Sequence, residues 1–504
     1  MADRASLEPL EFDPFAGGTL ERVIPTSEAQ REVWLADKLS SQASRAFNES
    51  VSLDLCGSMD QSSLIDALHA LVKRHESLRG TFNPDGTEQL VSADPLMDIP
   101  TFDLRSLDEA NVQSILTRAV EQAVEGRFDL EHGPLFRASL YRLSDDRHRL
   151  LLTAHHIICD GWSWGVIVKD LGSLYAEKLG LAPGLDAASN YGDYVAWEAT
   201  ESRSEAMREH ERFWLRQFTG TLPVLDLPTD RPRAAVRTFN SRRLDHQLDL
   251  DLTSALRSTG AKLGASNFAT LFSGFASVLH RLTAQDDLVI GVPAAGQSAS
   301  AMTDLVGHCV NLLPVRAFID PSQSFGALLQ RLSGELLDAF EHQTLTFGTL
   351  LKKLPAQRDP SRLPLVSVMF NLDQPVSVGT ESYPDLQVTV AANPRHYENF
   401  ELFVNIVPTD SGLRIECQYN SDLFDAITVE RWLRAYEALL RAAVLDPAQA
   451  IGSLNWVAPG DMAVLQALQP GPTPLSATEL MHTAIEGQCR ETPTRIALSD
   501  GVSV

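Results

Sequence analysis

The sequence predicts an α/β protein built as two similar halves, and three observations lead there. Segments with strand-like and helix-like periodicity alternate from about Ile24 to Leu179, and the same grammar returns from about Thr238 to Ala443. At 504 residues the chain exceeds one ordinary core, so two lobes are the natural division. The segment Arg149–His155 is almost wholly apolar, as a strand covered on both faces should be.

Each element has its own local signal. Ser27-Glu28-Ala29-Gln30 fits a capping box, and Val33, Trp34 and Leu35 then supply the buried side of a first helix. A strand is expected at Ser50–Leu55. A helix from about Asp60 follows, with Leu64, Ala67, Leu68, Leu71 and Val72 on one face. Asn83-Pro84-Asp85-Gly86 reads as a turn between short strands, and another helix opens near Asp108. Strands at Leu135–Leu143 and Arg149–His155 lead to a helix from about Ser163 to Leu179. The second half offers a strand at Thr238–Leu250, helices at Leu252–Lys262, Phe268–Leu282 and Phe325–Phe340, and strands at Leu288–Val292 and Leu365–Asn371. A hairpin around Asp410-Ser411-Gly412 and a last helix over Val429–Ala443 complete it. No short-period repeat is visible, so the duplication is one of structure rather than sequence. After Trp456 the Pro-Gly punctuation of Pro470-Gly471-Pro472-Thr473-Pro474 reads as a linker.

Bulk properties exclude several functions. A net charge of −24 without clustered Lys/Arg argues against nucleic acid. Five scattered cysteines without a C-x-x-C pair read as reduced thiols in a cytosolic protein, not a disulfide frame or zinc site. The first 18 residues lack the apolar core of a signal peptide, and no apolar run of about 18 residues suggests a membrane span. No phosphate loop of the G-x-x-x-x-G-K-[ST] kind is present.

The sharpest chemical feature is His155-His156-Ile157-Ile158-Cys159-Asp160-Gly161, at the end of the buried strand, where an imidazole can project from a rigid element into a cleft. Adjacent residues of a strand point to opposite faces, so His155 and His156 make a poor chelating pair. Gly161 permits a tight turn and close approach of a substrate.

These residues resemble the core motif of the condensation-domain family of nonribosomal peptide synthetases: two His, three variable residues, Asp and Gly. Further motifs fall in order. They are Ser27 through Trp34, Arg74 through Arg79, Tyr191 through Trp197, Val306-Gly307-His308-Cys309-Val310-Asn311, His342-Gln343 and Arg358 through Arg362. His308-Cys309 stands where the family varies. The matches span about Ile24 to Trp456, and Thr478–Asp500 looks like the opening of an adenylation domain, cut short.

The resemblance implies two chloramphenicol-acetyltransferase-like lobes forming a V-shaped pseudodimer with a central tunnel. On that division 1–23 is a linker, 24–183 the N-lobe, 184–458 the C-lobe, and 459–504 a linker with the start of an adenylation domain. It also implies transfer of a donor acyl group from an upstream acyl or peptidyl carrier protein to the amine of an aminoacyl group on a downstream peptidyl carrier protein. Both substrates arrive on 4'-phosphopantetheine arms, and no cofactor or metal is expected in this domain. A nucleotide would belong to the adjacent adenylation domain.

His156 is assigned to the amine, either taking its proton or orienting its lone pair; the plain alternative is a satisfied core histidine. His155 is expected to be structural. Asp160 either orients His156 or, the preferred reading, pairs with an arginine to hold the loop, with Arg74 and Arg79 as candidate partners. The Gly161 N–H, at a helix start, is a candidate for the oxyanion. Trp162, Ser163, Trp197, Asn311 and Arg362 are carried over as tunnel or substrate residues. For Trp197 core packing is the equal alternative, and for Arg358 and Arg362 a solvated charge pair. Ala46-Phe47-Asn48-Glu49-Ser50 resembles condensation domains that follow polyketide modules; a peptidyl donor is the alternative. Competing readings are an epimerization-type relative, disfavoured by Trp162-Ser163, and a non-catalytic docking module.

Overall fold

A computed structural model describes residues 19–95, 97–355, 359–373, 382–468 and 481–495. The chain divides into one compact unit ending at Trp456 and a second beginning at Val457, in which Pro459–Leu468 and Met481–Glu491 are helical. Both ends of the expected adenylation-like tail, and Arg358, lie outside the described residues. No helix among the described residues is long and apolar enough to cross a membrane.

Among the described residues the first unit contains three sheets. A small one joins β1 (Leu20–Pro25), β3 (Gly80–Phe82) and β4 (Glu88–Ser92) in the order β1-β4-β3. A five-stranded sheet uses β2 (Asn48–Gly57), β5 (Thr101–Asp103), β6 (Phe136–Arg142), β7 (Arg147–His155) and β12 (Leu386–Ala392), ordered β12-β2-β7-β6-β5. A six-stranded sheet uses β8 (Ser241–Leu248), β9 (Asp287–Ala295), β10 (Val310–Phe318), β11 (Val368–Leu372), β13 (Leu402–Thr409) and β14 (Gly412–Asn420), ordered β10-β9-β11-β13-β14-β8. β12 thus returns from late in the chain to extend the first large sheet along β2.

The capping box at Ser27 forms as expected: the serine oxygen accepts from the Gln30 N–H, and the Gln30 side chain reaches back to the Ser27 N–H. β7 is the middle strand of its sheet, which explains its apolar run: covered on both faces, it has no side to give to water. The face of Gln61–Arg74 that carries Leu64, Ala67, Leu68, Leu71 and Val72 is buried in the core formed with β2, β6, β7 and the helix Gly161–Lys178. A second, larger core fills the half built on the six-stranded sheet, around Phe272, Phe275, Phe370 and Tyr436.

The expected strands and helices are present, with ends moved by a few residues. No strand is expected from the sequence at β1, β5, β10 or β12, and β10 carries Pro314, a residue that argues against a central strand. β10 lies at the sheet edge, paired only with β9, where a missing N–H is tolerated. The turn expected at Gly161 also lies elsewhere. Ile158 N–H donates to His155 O, so the chain turns over residues 155–159, and Gly161 is already the first residue of the helix Gly161–Lys178.

Candidate active site

His155 and His156 leave the end of β7 in different environments. His155 is fully buried, its ring 6.2 Å from Phe47 and 5.8 Å from Phe128 between centroids, and its Nδ1 accepts the Ile157 N–H at 3.3 Å. Burial pushes its pKa down to about 3, with His156 adding to the effect, so the ring stays neutral. His156 extends the ladder by one bond, donating its N–H to Phe47 O at 2.7 Å, and its side chain keeps 18% of its surface accessible. The histidine available to a substrate is therefore His156.

Its ring nitrogens meet one residue from each half of the chain. Nε2 lies 3.2 Å from Oε1 of Glu49 on β2. The other oxygen of Glu49 accepts from Trp164 Nε1 at 2.9 Å, and Arg395 stands 3.9 Å from Oε1. Nδ1 lies 3.0 Å from Nδ1 of His308, in the irregular segment before β10. Neither Glu49 nor His308 was assigned to His156 from sequence. Both stood inside quoted motifs, but only pairing of β2 with β7 and approach of the two halves bring them to the ring.

Asp160 corrects the expectation of an arginine partner. It caps the helix Gly161–Lys178, with Oδ1 accepting from the Ser163 N–H at 2.9 Å and the Ser163 hydroxyl at 2.7 Å. Gln297 Nε2 donates to both oxygens, at 3.1 and 3.0 Å, and the Cys309 N–H donates to Oδ2 at 2.9 Å. The carboxylate is 1% exposed and is held by neutral donors and a helix N-terminus, without a cation or a bond to His156. Arg74 instead pairs with Asp170 at 2.7 Å, and Arg79 with Glu21 at 2.6 Å.

The remaining residues divide by what they touch. A Cβ on Gly161 would meet nothing within 4 Å, and Gly161 is absent from the glycines with positive φ, so here glycine leaves space rather than making a turn. Ser163 is buried and binds the other half of the chain: its oxygen accepts the Gly307 N–H at 3.0 Å, which corrects its assignment to the substrate path. Trp162 is 38% exposed and donates from Nε1 to Thr303 O at 3.0 Å. Trp197 packs beside Tyr194 in a cluster with Ile24, Val91 and Leu305, which is the packing alternative.

Asn311 donates to Gln343 O and Leu345 O and accepts from the Phe347 N–H, so its amide is spent on fixing the 343–347 segment rather than facing a substrate. Arg362 is not a solvated charge. It donates to Leu225 O and Asp226 and lines a shallow cleft with Arg233 and Glu401.

The buried, neutral His155 makes an acid-side prediction. A group with a depressed histidine pKa in the fold takes up its proton more readily when unfolded, near 6.5. Its stabilising contribution is thus complete above about pH 6.5 and is lost as pH falls toward 3. His155→Gln should lose stability less steeply than the parent between pH 6 and 4, by up to about 1.4 kcal/mol per pH unit. Urea midpoints at each pH measure this, and parallel curves for the two proteins would contradict it.

Comparison with known proteins agrees with this geometry. The family model described as Condensation domain matches residues 20–466. Chondramide synthase of Chondromyces crocatus is 32% identical over 437 residues, covering 86% of this chain and 11% of its own length. Tyrocidine synthase 3 of Brevibacillus parabrevis is 31% identical over 478 residues, covering 95% of this chain and 7% of its own. The chain therefore spans only a small part of these relatives, 11% of one and 7% of the other. The solved condensation domain from Monacolin K polyketide synthase superposes with a TM-score of 0.76 at 20% identity, covering 86% of this chain and all of that one. With the paired histidines at the end of β7, Asp160 capping the next helix and the family model spanning both halves, the chain belongs to the condensation-domain family of nonribosomal peptide synthetases.

Proposed function

We propose that the chain forms an amide between a donor acyl thioester and the amine of an aminoacyl thioester, with His156 as the group that meets the amine. The observation that carries this reading is the partly accessible His156 ring, set between Glu49 and His308 from the two halves of the chain. In the reaction the amine nitrogen bonds to the thioester carbon, the C–S bond breaks, the nitrogen loses a proton to His156, and the donor arm leaves as a thiolate. The thioester is already activated, so alignment supplies much of the acceleration, on the order of 7 kcal/mol in favourable cases. Gly161 supports a role at the oxyanion: it opens a helix, where first-turn N–H groups lack intrahelical acceptors, and its Cα faces open space.

The donor comes on the phosphopantetheine arm of an upstream acyl or peptidyl carrier protein, and the acceptor on that of a downstream peptidyl carrier protein. An adjacent adenylation domain loads the acceptor, and the chain acts in the cytoplasm. The division into an N-lobe over 24–183 and a C-lobe over 184–458, with a tunnel between them, is supported by the two separate cores and by the meeting of both halves at His156. The donor is a polyketide or fatty acyl chain, on the strength of residues 46–50, a stretch that includes Glu49.

The test is single turnover between donor-loaded and acceptor-loaded carrier proteins, read by intact-protein mass spectrometry. Amide on the downstream carrier is expected, formed faster from acyl than from peptidyl donors. Equal use of peptidyl donors overturns the polyketide assignment. No product from any donor, with capture of an accessory enzyme, moves the docking-module reading ahead.

A further inference from the structure

The contact between His156 and His308 constrains both rings. Two imidazole nitrogens 3.0 Å apart form a hydrogen bond only when one carries a proton and the other a lone pair. The rings meet edge to face, with centroids 4.8 Å apart at 88°. Burial holds the His308 pKa well below the ordinary histidine range, and His156 and His155 add to this, so His308 is neutral with a single N–H.

His308 is also held in place from both sides. The Gly307 N–H donates to Ser163 Oγ at 3.0 Å, and the Cys309 N–H to Asp160 Oδ2 at 2.9 Å. Its own carbonyl accepts from the Tyr191 hydroxyl at 2.8 Å. Three consecutive residues are thus each fixed, two of them to the helix that follows the paired histidines. Asp160 therefore acts on His156 at one remove, through the segment that carries His308.

Two tautomers fit the contact. If His308 donates, the one lone pair of neutral His156 is occupied and no basic nitrogen remains for an amine. If His308 accepts, His156 carries its proton on Nδ1 and Nε2 is bare; its 3.2 Å contact with Glu49 Oε1 then joins two acceptors and turns attractive only when Nε2 takes the proton of the amine. The geometry points to His308 as a positioning residue for the proposed condensation: its Nδ1 lone pair accepts the Nδ1–H of His156 and leaves Nε2 to the substrate amine. The role parallels that of the carboxylate in a catalytic triad, performed by a neutral ring from the other half of the chain. It rests on the amide-forming reading above, but the tautomer can be read without any turnover.

The test combines two measurements on the full chain. Histidine side-chain 15N spectra, with the His156 signals assigned by their absence in His156→Ala, report which nitrogen is protonated. Single-turnover rates from pH 6 to 9 report its use. Glu49 and His155 are the titratable groups that act on these rings, with Arg395 3.9 Å from Glu49 Oε1 and Asp160 bonded to the Cys309 N–H behind His308.

The parent should show His156 protonated on Nδ1. His308→Ala should lose that signature, slow transfer about 10- to 100-fold and change the pH profile. His308→Asn, whose amide oxygen can accept the same proton, should recover most of both. Thermal melting of both variants separates this from a failure to fold. A parent protonated on Nε2, or a His308→Ala variant with the parent's spectrum and pH profile, overturns the proposal. If the parent forms no amide while the Nδ1 signature still depends on His308, the positioning contact stands and the amide-forming reading fails.

Discussion

Replacing His156 with alanine is expected to slow amide formation by on the order of 100-fold or more while leaving the fold intact. The substitution removes the ring that faces Glu49 and His308, but its backbone bond to Phe47 O remains. The ring is partly accessible, so its loss opens little cavity and stability should change by no more than about 2 kcal/mol. Alignment of two bound thioesters persists, so some residual transfer is expected rather than none. Single-turnover mass spectrometry against the parent decides the matter. Equal product from both proteins would make His156 structural and leave alignment as the whole of the catalysis.

The second large effect is on stability. Asp160→Ala strips the acceptor from the Ser163 N–H, the Ser163 hydroxyl, the Gln297 amide and the Cys309 N–H, all buried. Each buried donor left without a partner costs about 1–3 kcal/mol, and partial rearrangement should bring the total to about 3–5 kcal/mol. Asp160→Asn keeps the shape but turns an amide N–H₂ toward donors, so a smaller loss of about 1–3 kcal/mol is expected. Denaturant midpoints measure both. Because the carboxylate also fixes the segment bearing His308, transfer should slow in Asp160→Asn even where the protein stays folded. A loss below about 1 kcal/mol for Asp160→Ala would mean that the two halves are held by something else.

The second expectation shows how far a sequence can be read. The sequence suggests that Asp160 pairs with Arg74 or Arg79 to hold the loop, whereas Arg74 pairs with Asp170 and Arg79 with Glu21. Asp160 and Asp170 both belong to the helix after the paired histidines, one as its cap and one on its face. Only packing of the helix Gln61–Arg74 against it selects Asp170. Gln297, which takes the place reserved for the arginine, carries no signal at all in Gly296-Gln297-Ser298. Asn311 and Ser163 were placed on the substrate path because their motif is, whereas their polar groups are consumed by the 343–347 segment and by Gly307.

What the sequence determined by itself were the features set by local chemistry. The capping box at Ser27, the helical face from Leu64 to Val72, the apolar run of β7 and the paired histidines that end it depend on neighbours a few residues apart. Periodicity and side-chain type suffice for these. Only the tertiary structure decided the partners of His156 and Asp160, the edge position that admits Pro314, and the return of β12 to the first large sheet. The partners of the two site residues and the pairing of β12 with β2 join positions far apart in the chain, such as Glu49 with His156 and Val51 with Ala392. A contact over such a separation is selected by the packing of whole cores, and no single stretch of sequence holds that information.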